Sequence, residues 1–153
     1  MWTKIQHAGA WPPATGNNFM VYDPGRQRVI VLVDDPNPTG LWFTWEWTGS
    51  SWEAGNTRGP IDSGTPGVSF CCDEFRGVGF VYCLDSAGFW EEVWEYTPGP
   101  TAAQSAWNQV PISGPAYQGY EVVSLVYDPY RRQIVRHGGR ASGSLYSFIS
   151  GTS

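Results

Sequence analysis

One pattern, present three times, constrains this chain more than any other feature. Residues 19–52 read FMVYDPGRQRVIVLVDDPNPTGLWFTWEWTGSSW. An apolar run ends in Tyr22-Asp23, a tight turn carries Arg26, and a second apolar run follows. A loop rich in Pro, Gly and Asp then leads into an alternating aromatic run, and Gly49 precedes Trp52. Asp-x-x-Arg recurs as Asp23/Arg26, Asp73/Arg76 and Asp128/Arg131, at intervals of 50 and 55 residues. Repeats of this length mark an array of supersecondary units, each needing its neighbours to bury an apolar face.

The units read as strands. In the first, strand A covers 19–23, B covers 28–33 and C covers 42–48, and Trp52 opens a short strand D. Asp-Pro-Gly-Arg between A and B has turn chemistry, with Asp first and Pro fixing φ second. Strand B is apolar almost throughout, as expected of a strand buried on both faces. Strand C alternates, with Trp45 and Trp47 on one side and Thr44, Glu46 and Thr48 on the other. The second unit repeats this at 68–73, 78–84 and 91–97, with Trp107 opening D. The third gives 122–128, 133–137 and 145–149. Aromatic residues make up 16% of the chain, and its 19 Gly and 12 Pro fall between the apolar runs. An all-β fold follows, in a single domain spanning 1–153.

Residues 2–6 alternate and read as one further short strand. Trp2, Trp52 and Trp107 repeat the intervals of 50 and 55. Segment 2–6 is therefore expected to be the strand D that the third unit lacks after Ser153.

These residues resemble the kelch-like repeats of bacterial β-propeller proteins. The resemblance rests on Tyr22-Asp23 with Arg26, on Thr44-Trp45-Glu46-Trp47 with Gly49 and Trp52, and on Tyr127-Asp128, Arg131 and Gly138-Gly139. It departs at Val33-Asp34 and Leu84-Asp85, where Gly-Gly would stand, at Cys72-Asp73, and in a third strand C without Trp or Glu. The resemblance implies four-stranded blades, at about 19–57, 67–112 and 120–153, packed face to face. Rings have about four to eight blades. Three blades leave two bare end sheets of about 20 Å by 17 Å each. The expectation is a homodimer forming one six-bladed ring. Trp2, Thr3, Lys4 and Ile5 of one chain would pair beside Leu145, Ser147 and Ile149 of the other, burying roughly 2,000 Å² or more. The alternative is a β-trefoil, which also has three four-stranded repeats in a chain of this size and closes as a monomer.

A residue repeated in every unit belongs to the repeat. The three Asp/Arg pairs are thus expected to cap turns and to pair at blade junctions, with Glu46 and Glu95 as Arg partners. Site candidates are the departures from the repeat. Asp34, Asp35, Asp85, His137 and Arg140 follow strand B, with Trp42, Phe89 and Trp90 on the same loops. Together they suit a polar ligand such as a glycan or a peptide. The expected function is a non-enzymatic binding or scaffold module. The alternative is a carbohydrate-active enzyme using Asp34 or Asp35 with Asp85 as paired carboxylates. No catalytic nucleophile motif, metal site or cofactor is expected.

Net charge is −5, which disfavours nucleic acid as a partner. The three cysteines, Cys71, Cys72 and Cys83, are expected as buried free thiols. No run of about 18 apolar residues suggests a membrane span. No signal-peptide layout opens the chain. The expected setting is cytoplasmic, or the chain is a fragment of a larger protein.

Overall fold

The computed structural model describes residues 1–34, 41–62, 67–84, 91–112, 123–138 and 145–149, with only the backbone at 41, 56–62 and 145–149. Among these residues there is no α-helix, and the strands form three antiparallel sheets. Sheet 1 contains, in order, β1 (Asn18–Asp23), β2 (Arg28–Asp34), β3 (Leu41–Trp47) and β4 (Trp52–Asp62). Sheet 2 contains β5 (Ser69–Asp73), β6 (Val78–Leu84), β7 (Glu91–Thr97) and β8 (Ala106–Val110). Sheet 3 contains β9 (Val123–Asp128), β10 (Gln133–Gly138) and β11 (Leu145–Ile149), with β10 in the middle. The strands of all three units fall close to where the sequence pattern puts them.

The repeated turn is made the same way each time. The Asp23 carboxylate accepts from the backbone N–H groups of Gly25 and Arg26 at 3.0 and 3.2 Å. Asp73 does the same for Phe75 and Arg76, and Asp128 for Tyr130 and Arg131. The residue after each Arg then takes a left-handed conformation: Gln27 at φ 54°, Gly77 at φ 67° and Arg132 at φ 53°. Only Gly77 adopts it without a Cβ to crowd the following carbonyl.

The sheets pack face to face. Between sheets 1 and 2 lie Leu32, Trp42, Val81 and Cys83, flanked by Phe19, Phe70, Trp94 and Trp107. Between sheets 2 and 3 lie Cys71, Phe80, Tyr82, Leu84, Val93, Val123 and Ile134. Sheet 2 is therefore covered on both sides, and every residue of β6 is buried. The cysteines are free and buried, Cys71 facing sheet 3 and Cys83 facing sheet 1.

Three features bear on the sequence reading. Residues 2–6 form no strand within the chain; they run exposed outside the sheets. An alternating segment makes a strand only where a sheet edge receives it, and none does so here. Strand β4 is longer than its Gly- and Pro-containing sequence suggests. It accommodates its glycine at a shift of register against β3, where a Cβ on Gly55 would lie 2.9 Å from the Thr44 carbonyl oxygen. None of the three sheets closes on itself, in contrast to the closed monomer of the trefoil alternative.

Candidate functional site

The chemistry-bearing residues fall into two groups: a buried network between sheets 1 and 2, and the end of the sheets where β2, β6 and β10 finish.

The network is centred on Glu46, which β3 directs toward sheet 2. Its carboxylate is fully buried and accepts from both terminal nitrogens of Arg26 at 2.9 and 3.1 Å. Arg28 adds a bond at 2.8 Å, and the Tyr96 hydroxyl of sheet 2 donates at 2.6 Å. Arg26 also reaches Asp23 Oδ2 at 2.7 Å, and Arg28 reaches Glu53 at 2.7 Å. Burial alone would raise the Glu46 pKa, but hydrogen bonds from Arg26 and Tyr96 and the charge of Arg26 outweigh it and hold the group below its usual range. The Tyr96 phenol is pushed up by burial and by its bond to Glu46. A carboxylate held ionised by two guanidiniums is a poor proton carrier. The arrangement is a strut that ties two sheets together. It matches the expected structural role of Asp23, Arg26 and Glu46, and Arg76 repeats it with two bonds to Glu95 at 2.8 and 2.9 Å.

The thiols are equally withdrawn from chemistry. Burial pushes Cys71 and Cys72 up to about 12, with smaller contributions from nearby acidic groups. At neutral pH they are protonated.

The second group occupies one end of the stack. Trp42, which opens β3, packs with Cys83, which is close to the end of β6. Arg136, near the end of β10, bonds at 2.6 Å to Glu91, which opens β7. The B–C connections of all three units therefore leave from the same end. Asp34 closes β2 there and is half-buried, and His137 is exposed one residue before β10 ends. Asp35, Asp85, Phe89, Trp90 and Arg140 lie outside the described residues. Trp42 is not an exposed loop residue. In register with Asp34, it turns toward sheet 2 and is buried. Its place inside β3 made it a packing residue.

Two clusters escaped the sequence reading. Arg136 is buried beneath this rim, lies 4.5 Å above the Tyr82 ring, and shares Glu91 with the Tyr82 hydroxyl. The available signal was an Arg in strand B at the position that Val31 and Val81 fill in the first two units. The other cluster is a stack on sheet 1. His7 lies 4.2 Å from Trp11 and 5.2 Å from Trp47, and Trp47 lies 5.4 Å from Trp52. Nothing in the spacing of His7 announces it. Among the described residues no His, Cys, Asp and Glu grouping could hold a metal ion, and no helix is long and apolar enough to cross a membrane.

The fold and these sites define an all-β protein of three stacked antiparallel sheets, with an Arg–Glu ion pair within sheet 1 and another within sheet 2. No protein-family model matches the chain, and no curated protein matches it.

Proposed function

We propose that the chain is a non-enzymatic binding or scaffold module, built as half of a six-bladed kelch-like propeller that two copies complete. The supporting observation is the division of labour among charged residues. Asp23, Arg26, Glu46, Arg76 and Glu95 recur with the repeat and act as struts. Asp34 and His137 do not recur, and they stand at the common end of the sheets. Loops at such an end, carrying Asp35, Asp85, Trp90 and Arg140 in the sequence, would offer acids, a cation and an aromatic ring to a glycan or a protein ligand.

Ring size favours two copies. Of the multiples of three, only six falls in the usual range of about four to eight blades. The exposed segment of residues 1–6 would supply a fourth strand beside β11 of the other copy, with Trp2 taking the place that Trp52 and Trp107 hold in their own sheets.

Glycan and peptide arrays test the binding role. The wild-type protein should retain a defined ligand class. A variant combining Asp34→Asn, Asp35→Asn and Asp85→Asn should lose that ligand while keeping its thermal midpoint. Equal retention by the variant would remove the rim from consideration. Cleavage of an arrayed glycan by the wild type alone would establish the carbohydrate-active alternative.

A further inference from the structure

The outward faces of sheets 1 and 3 each leave apolar residues exposed on their first strands, while His7 and Trp11 lie over Trp47 on the outer face of sheet 1. In the joint between sheets 1 and 2, sheet 2 presents the rows Cys72–Gly79–Tyr96–Trp107 and Phe70–Val81–Trp94–Gln109. The corresponding rows of sheet 1 are Tyr22–Val29–Trp47–Trp52 and Met20–Val31–Trp45–Ala54. These rows point away from sheet 2. Met20 is 64% exposed and Tyr22 is 54% exposed. At the other end of the stack, sheet 3 turns Val126 outward, in register with Val135. The counterparts of this pair are Val21–Ile30 and Cys71–Phe80, in the rows that sheets 1 and 2 direct at their next neighbour. Val126 is 60% exposed.

We infer that the exposed β1 side of the outer face of sheet 1 seats the outer face of sheet 3 from a second copy of this chain, with Met20 and Tyr22 of one copy against Val126 of the other. This inference rests on the two-copy ring proposed above and specifies its joint. The joint between sheets 2 and 3 supplies the template, since Cys71 there packs with Leu125 and Tyr127. Cys71 is the counterpart of Val126, and Leu125 and Tyr127 are the counterparts of Met20 and Tyr22.

A charge exchange across the joint tests this, read by sedimentation equilibrium of the whole chain. Both positions are exposed, so each variant should keep the wild-type circular dichroism. Met20→Glu alone and Val126→Arg alone should each weaken the dimer roughly tenfold to a hundredfold, by burying an unpaired charge. The double variant sets the two opposite charges against each other in both joints and should recover most of the loss. A wild-type monomer would end the ring proposal itself. A wild-type dimer that neither single variant weakens, or singles that weaken it with no recovery in the double, would overturn this joint and leave dimerisation to another surface.

Discussion

The turns at Asp23–Arg26 and Asp128–Arg131 share sequence, backbone and capping bonds, yet their arginines have different surroundings. Arg26 bonds to Asp23 and twice to Glu46, and its side chain is one-quarter exposed. Arg131 bonds to Asp128 at 2.8 Å, and its side chain is 74% exposed. The Asp128 carboxyl is lowered chiefly by that bond from Arg131 and is half-buried. The motif therefore builds a turn by itself, whereas the strut depends on strand C of its own sheet and on a neighbouring sheet that covers it. Joints between sheets carry the ionic stabilisation, and the open ends carry turns alone.

The largest test of this contrast removes the central carboxylate. Glu46→Gln leaves Arg26 and Arg28 half-buried at the joint without their shared charge. It should cost about 3–5 kcal/mol in urea unfolding, as for a buried pair with one partner lost. Arg131→Ala should leave the urea midpoint where it is. The same carboxylate predicts an acid limb. The Glu46 pKa in the folded state lies below its ordinary 4.5. Its contribution is thus complete above that value and is lost as pH falls through the lower folded pKa. Between about pH 5 and pH 3, wild type should lose more stability than Glu46→Gln does.

A smaller effect is expected at Gly99, whose carbonyl faces Arg26 and whose N–H donates to Ser105 at 2.9 Å. A Cβ there would stand 2.5 Å from the Gln104 carbonyl oxygen. Gly99→Ala should destabilise by about 1–3 kcal/mol as the loop shifts. The thiols report the joints of sheet 2 without mutation. Cys71 and Cys72, with pKa values near 12, should resist alkylation at pH 8 in the folded protein. Unfolding without reductant should release three thiols per chain, and one would indicate a disulfide. The smallest effect belongs to the turn alone. Gln27→Gly relieves a left-handed φ of 54° and should stabilise by less than about 1 kcal/mol.

Much of this architecture was legible in the sequence. Alternation, apolar B runs and Asp-x-x-Arg turns are local signals, and they located the strands to within a residue or two. The pairing of Arg26 with Glu46 and of Arg76 with Glu95 was legible because both members recur at a fixed interval. What depended on neighbours was not. The long pairing of β4 is determined by its contact with β3, and the burial of Trp42 by the arrival of sheet 2. The segment 2–6 has a strand's alternation but no edge to pair with inside its own chain. Among the described rim candidates, Asp34 and His137 stand at the end of a strand B, and Trp42 is buried within β3.

The central claim is that a second copy covers the apolar residues left exposed on the outer faces of sheets 1 and 3. Sedimentation equilibrium of the unmodified chain at micromolar concentration measures this most directly. A single species of twice the 16.9 kDa chain mass is predicted. A folded species at 16.9 kDa, unchanged as concentration rises, would contradict it.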